Sequence, residues 1–270
     1  MKKIETYIVD SFTDQAFKGN PAGVCILNGK LSDSKMLLVA KELGLSETAF
    51  IGKLNDNNEY PIRFFSPAME IPLCGHATFA SSKVVFEKNG QNSFTFVNVQ
   101  NLKLPIEINE EFIKMEFPIY QTAPKRVPTE LLEALGLNEV RNCEYNNETK
   151  ILLLEIESAE VLKNLSPDFD KLKKSYNEIN GVLITALSKK TDFDFESRYF
   201  WPWSGTNEDP VTGGTHTFLA KYWGTRLNKT KMNSFQCSER TGFMEVELLD
   251  EQKMTIKSKA QIVLKGELKI

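Results

Sequence analysis

Two histidines, four scattered cysteines and no apolar run near the length of a membrane span are what this 270-residue chain is short of. Each shortage narrows its chemistry. A helix needs ~20 apolar residues to cross a bilayer, and no run here approaches that, so no membrane partner is expected. The first residues, Met1-Lys2-Lys3, carry the charge of a secretory leader, but no apolar segment follows before Asp10, which points away from export. Cys25, Cys74, Cys143 and Cys237 have no C-x-x-C spacing. A zinc ribbon or disulfide framework is therefore not expected, and a reducing, cytoplasmic setting fits. Charge of one sign is lacking too: 33 Lys and Arg stand against 36 Asp and Glu, a net charge of −3. That balance is too even for a nucleic-acid partner held by a basic field. The block Lys171-Leu172-Lys173-Lys174 reads as the solvated face of a helix.

What the chain does have is one short passage written twice. Arg63-Phe64-Phe65-Ser66-Pro67 matches Arg198-Tyr199-Phe200-Trp201-Pro202. Glu70-Ile71-Pro72-Leu73-Cys74-Gly75-His76 then matches Glu208-Asp209-Pro210-Val211-Thr212-Gly213-Gly214. The Arg-to-Glu separation is seven residues in the first copy and ten in the second, so the second link is longer. Both copies run into an apolar segment of helical character, and both histidines, His76 and His216, lie in them. A duplicated strand–turn–helix implies two similar halves, with a site where the two turns meet. The length suits two small domains, and 41% hydrophobic residues can fill a core in each.

Along the chain, alternation predicts a strand over Ile4–Ser11. Gly19–Gly23 reads as a turn, Val24–Leu27 as a strand, and Ser32 as the N-cap of a helix ending near Gly44. Strands follow at Thr48–Gly52 and Pro61–Phe65. Gly75–Glu87 predicts a helix apolar over most of its surface, hence buried and wrapped by its own sheet. Phe94–Phe117 carries three strand-like runs. Pro118–Pro128, with no clear period, reads as the linker between halves. Thr129 caps a short helix stopped by Gly136. Strands are expected at Ile151–Ile156, Gly181–Leu187 and Phe193–Phe200, a second buried helix at Gly213–Leu227, and strands again over Phe235–Leu268.

The chemistry concentrates at the twin turns. A glycine opening a buried helix leaves backbone N–H groups pointing out of the N-terminus, where the helix dipole favours carboxylates. Gly75 with His76, and Gly213 with Gly214, could hold one small acid between them. At a helix start, burial and dipole both favour neutral imidazole for His76. Asp209 stands where the first copy has Ile71, and a carboxylate facing an imidazole makes an acid–base pair. From the residues alone, Glu47 does not stand out from its neighbours. Cys74 and Thr212 occupy matching places. A cofactor-independent racemase needs two thiols there, and a threonine hydroxyl cannot replace a thiolate, so Cys74 reads as a buried structural residue.

These segments resemble a known family. Gly19-Asn20-Pro21-Ala22-Gly23-Val24, Ser46-Glu47-Thr48-Ala49-Phe50, Cys74-Gly75-His76-Ala77-Thr78 and Glu208-Asp209-Pro210-Val211-Thr212-Gly213 are similar to the signature segments of the PhzF-like isomerases of phenazine biosynthesis. Gln236-Cys237-Ser238-Glu239-Arg240-Thr241-Gly242 resembles the family's Q-x-S-x-R-G-G, with Thr241 in place of the first closing glycine. The match covers nearly the whole chain.

The resemblance implies an α+β fold of two pseudo-symmetric, diaminopimelate-epimerase-like domains, each a mixed curled sheet around a central helix, with the active site in the cleft between them. The domains would be 1–120 and 121–270, with a last strand at about 262–270 joining the first. It implies a homodimer with no metal and no organic cofactor, acting on a small-molecule carboxylate. Carried over residue by residue, Glu47 is the general base that removes and returns a proton. His76 and Asp209 assist, while Asn20, Ser46 and the backbone at Gly75, Gly213 and Gly214 bind substrate. Burial of Glu47 would raise its pKa. The founding activity of the family is isomerisation of trans-2,3-dihydro-3-hydroxyanthranilate. Here Gly214 replaces the serine of many relatives, a hydrogen bond worth on the order of 1.5–3 kcal/mol to a charged group. Two alternatives stand beside an isomerase: a non-catalytic small-carboxylate binder of the same fold, and a Cys74-dependent racemase.

Overall fold

The computed structural model describes residues 3–270. Met1 and Lys2, the start of the segment read against a secretory leader, lie outside the described residues. The chain forms two compact units. One comprises residues up to Glu116 together with Ile256–Ile270, and the other is Phe117–Thr255. Among the described residues no helix is long and apolar enough to cross a membrane.

In the first unit, strand Lys3–Ser11 pairs antiparallel with Ala260–Lys269 on one edge and with Asn20–Ile26 on the other. Asn20–Ile26 then runs parallel to Thr48–Ile51, which is antiparallel to Glu59–Phe65, itself parallel to Ser93–Val97, which is antiparallel to Lys103–Asn109. The helix Gly75–Asn89 packs on Lys3–Ser11, Asn20–Ile26, Thr48–Ile51 and Ala260–Lys269. Its residues from Ala77 to Val85 are all buried. Alanine, serine and threonine keep this helix slim enough to be enclosed. Two of the buried hydroxyls are bonded locally, Thr78 donating to the Cys74 carbonyl at 2.7 Å and Ser82 to that of Thr78 at 2.8 Å, while the Ser81 hydroxyl has no hydrogen-bond partner among the described residues. Gly90, at φ +66°, ends the helix in the left-handed region.

The second unit repeats the pairing pattern step for step. Asn142–Asn146 is antiparallel to Ile151–Glu155, which is parallel to Gly181–Leu187. That strand is antiparallel to Phe195–Trp201, which is parallel to Lys231–Gln236, and the last is antiparallel to Gly242–Leu248. Its central helix, His216–Leu227, is buried from His216 to Gly224 except at Lys221, and packs on Lys231–Gln236 and Gly242–Leu248. The mixed α+β class expected from the sequence is what the chain adopts.

Several local expectations need correction. Gly19–Gly23 is not a turn throughout: the strand already begins at Asn20. Pro21 is tolerated because the parallel pairing starts only at Gly23, so the missing N–H interrupts no bond on that edge. Pro128, not Thr129, is the N-cap of the helix Thr129–Leu135. The segment 118–128 contains a short strand, Ala123–Pro124, paired with Asn142–Asn146. The second central helix starts at His216 rather than Gly213. The His216 and Thr217 amides reach back only three residues, to Gly213 at 3.0 Å and Gly214 at 3.3 Å, a tighter turn that precedes the α-helix.

Candidate active site

The repeated motif has a physical meaning. In each copy the arginine sits on a strand whose hairpin partner carries the glutamate: Phe65 faces Glu70, and Phe200 faces Glu208. Arg63 clamps Glu70 with two bonds of 2.7 and 2.6 Å, and Arg198 clamps Glu208 with two of 2.7 Å. Such bidentate pairs fix direction as well as charge. The longer second link is accommodated by a 3₁₀ turn, Pro202–Ser204. Each clamp holds the hairpin that feeds a central helix.

In the first unit that helix begins at Gly75 with Cys74 as an N-cap lacking a side-chain bond, so its first-turn amides point outward. Ser11 Oγ donates to the His76 carbonyl at 2.7 Å, and the Gly23 amide donates to the Glu47 carbonyl at 3.0 Å. Thr48, next in the chain, is fully buried on the strand Thr48–Ile51. These anchors bring His76 Nε2 to 3.2 Å from Glu47 Oε2. Cys74 Sγ lies beside the same ring, 3.4 Å from His76 Nδ1 and 3.9 Å from Nε2.

The charge states run opposite to the sequence expectation. Burial pushes the Glu47 carboxyl up, but the bond and charge of His76, with a smaller contribution from Ser46, outweigh it, and its pKa is lowered. Burial likewise pushes His76 down, but Cys74 and Glu47 beside it outweigh that, and its pKa is raised well above the ordinary imidazole value. The pair is thus a carboxylate and an imidazolium, not a carboxyl raised by burial beside a neutral ring. An opposite charge at 3.2 Å prevails over desolvation. Cys74 is buried, as its structural reading expects, and its sulfur also touches the imidazole. Among the described residues, Glu47, Cys74 and His76 offer one metal-ligating atom each within 4.8 Å of one another. They are the residues that could hold a metal.

Asn20 is buried at the start of its strand, opposite Ser11. The approach to it needs Gly19 at φ +68°, where an added Cβ would meet the Ser11 carbonyl oxygen at 2.1 Å, so only glycine fits there.

In the second unit, Asp209 ends the strand Thr206–Asp209. Its carboxylate accepts the Thr212 hydroxyl. Gln236, fully buried, ties this turn together: Nε2 donates to the Asp209 carbonyl at 2.7 Å, and Oε1 accepts the Thr212 amide at 2.8 Å. Sequence reasoning assigned no role to Gln236 or Thr212. The signal available was the glutamine of the Q-x-S segment. Gly213 is buried and Gly214 exposed in the turn before the helix. His216 is fully buried, its Nδ1 donating to the Thr212 carbonyl at 3.1 Å and its Nε2 at 3.0 Å from Ser234 Oγ. Burial lowers its pKa to about 4, so it is a neutral, structural ring.

The fold defines an epimerase-type architecture. The chain superposes on a hydroxyproline epimerase from Agrobacterium vitis with a TM-score of 0.60 at 8% identity, over 98% of this chain and 92% of that one, a likeness of fold alone. Closer similarity fixes the family. The model of the phenazine biosynthesis-like protein family, PhzC-PhzF, matches residues 9–266. A Bos taurus phenazine biosynthesis-like domain-containing protein is 37% identical over 286 residues, covering 98% of this chain and 99% of its own. An uncharacterized isomerase of Halalkalibacterium halodurans is 38% identical over 267 residues, with 97% of each chain covered. The crystal structure of a PhzF-family phenazine biosynthesis protein from Enterococcus faecalis matches with a TM-score of 0.92 at 34% identity over 100% of both chains. The chain belongs to the phenazine biosynthesis-like, or PhzF-like, family.

Proposed function

We propose that this protein is an isomerase that moves a proton within a small carboxylic or amino acid, with Glu47 as the general base. Family membership and the isomerase and epimerase names among its relatives and fold neighbours support the reaction class. The observation that carries the assignment is the Glu47–His76 pair, 3.2 Å apart at the entry of a buried helix. An ionised carboxylate can accept a proton from a substrate carbon, and an imidazolium in contact with it can donate one back, so both halves of a proton shuttle are charged for the task. His76 and Asp209 take the assisting roles. Gly75, Gly213 and Gly214 offer helix-entry amides to an acid group, and Asn20 and Ser46 offer polar side chains. A homodimer in the cytoplasm, without metal or organic cofactor in the reaction, completes the proposal.

Proton NMR in heavy water tests it, with trans-2,3-dihydro-3-hydroxyanthranilate and a panel of small amino and hydroxy acids as substrates. Deuterium should enter one compound, and Glu47→Gln should slow that exchange by at least about 100-fold, the lower end of general-base contributions. Undiminished exchange in the variant sinks the assignment. Carboxylate binding with no exchange on any compound would instead favour the binder.

A racemase reading is favoured by one observation, the Cys74 thiol 3.4 Å from the imidazole. Against it, the matching place holds Thr212, whose hydroxyl is committed to Asp209. That reading requires that alkylating Cys74 abolish turnover while Glu47→Gln spares it.

A further inference from the structure

We propose that Glu47, Cys74 and His76 also form a binding site for a soft divalent cation of the zinc class, and that its occupation blocks proton transfer. The binding part stands on the geometry of the three side chains; the blocking part rests on the isomerase reading above.

The donor set is one carboxylate oxygen, one thiol sulfur and one imidazole nitrogen. Hard cations such as calcium and magnesium take oxygen shells, whereas zinc takes mixed sulfur and nitrogen shells and accepts carboxylate. With zinc bonds of about 2.3 Å to sulfur and 2.0–2.2 Å to nitrogen and oxygen, tetrahedral donors stand roughly 3.3–3.6 Å apart. Around His76 Nε2 the separations are 3.2 Å to Glu47 Oε2 and 3.9 Å to Cys74 Sγ. All three donor atoms lie within 4.8 Å of one another, so side-chain rotations that move the Cys74 sulfur and the Glu47 oxygen by about an ångström or more would close the three donors on an ion.

The backbone of all three donors is already pinned. The Cys74 carbonyl accepts the Thr78 amide at 3.0 Å and the Thr78 hydroxyl at 2.7 Å. The His76 carbonyl accepts Ser11 Oγ, and the Glu47 carbonyl accepts the Gly23 amide. A preorganised triad costs little to close on an ion. The side chains of His76 and Glu47 remain 11% and 15% exposed, enough for an ion to enter and for water to complete four-coordination. On binding, the metal takes one electron pair from each donor. The thiol proton and the proton on Nε2 pass to solvent, and no atom changes oxidation state. A Glu47 oxygen bound to metal no longer offers its electron pair to a substrate proton, so the two occupants exclude each other.

Cobalt(II) titration of the reduced, full-length protein tests binding through the thiolate-to-cobalt absorption band. We expect a band that saturates at one cobalt per chain and is erased by one equivalent of zinc. It should be absent in Cys74→Ser and retained in Cys237→Ser. Glu47→Gln should weaken zinc binding by about tenfold or more. Absence of the band at saturating cobalt, or a band that survives Cys74→Ser, overturns the proposal. So does unchanged affinity in Glu47→Gln, which also covers the case that Cys74→Ser fails to fold. Because the band is read without turnover, a failed exchange assay strikes only the isomerase reading. Undiminished exchange by the zinc-loaded protein strikes only the blocking.

Discussion

At the scale of single residues, geometry sets the chemistry more than residue type does. Glu47 is an ordinary glutamate until His76 stands 3.2 Å away; then burial and charge compete, and charge prevails. Thr241 shows the same dependence in the backbone. It sits at φ +56°, a left-handed conformation costly to an L-residue and rare for a β-branched one, where the family motif carries glycine. Relief of that strain, about 1–2 kcal/mol, exceeds the ~0.5–1 kcal/mol of extra chain entropy that glycine loses on folding. Thr241→Gly is therefore expected to raise stability by up to about 1 kcal/mol, measured as a higher urea midpoint at unchanged slope. A lower midpoint would show that Thr241 contributes contacts worth more than its strain.

At the scale of elements, the twin hairpin–helix was legible in the sequence because its determinants are local. The repeated Arg and Glu positions, the helix-ending glycines Gly44 and Gly136 and the apolar helices all declare themselves within a few residues. The misplaced boundaries have local competitors. Asn20–Gly23 carries turn residues but is held as strand by Lys3–Ser11. Gly213 opens a tight turn rather than the helix itself. The two clamps differ in a way no motif reveals. The Arg198 side chain is 10% exposed, and besides Glu208 its hydrogen-bond partners among the described residues are backbone carbonyls. Arg63 is 28% exposed and has Asp33 as a second partner at 2.7 Å. Glu208→Ala should therefore cost roughly 3 kcal/mol, by leaving a buried guanidinium without its counter-charge. Glu70→Ala should cost about 1 kcal/mol. Denaturant unfolding of the two variants checks the order; equal losses would show that the clamps are energetically alike.

At the scale of the whole molecule, His216 ties stability to pH. Its pKa is about 4 folded, against an unfolded value of 6.5, so the unfolded chain binds the extra proton first. The stability held by neutral His216 is complete above pH 6.5. It falls as pH drops through the interval and is gone below about 4, a total of ~3 kcal/mol. Between about pH 7.5 and 4.5, the wild type should lose roughly 2–3 kcal/mol of unfolding free energy that His216→Gln retains. The comparison is of pH slopes, so a uniform loss in the variant does not disturb it. Parallel slopes would mean that His216 is protonated in the native state.

The sequence by itself determined the repeat and the buried central helices, because periodicity and capping act over short stretches of chain, and its motifs carried the resemblance that implied the family and the α+β class. Only the tertiary structure decided that Cys74 touches the imidazole, that Gln236 ties the Asp209 turn and that Glu47 and His76 are an ion pair. The Gln236 and Glu47–His76 contacts depend on distances between residues far apart in sequence, the Cys74–His76 contact on how the chain bends into the helix between neighbouring residues, and a balance of desolvation against charge changes sign over an ångström or two.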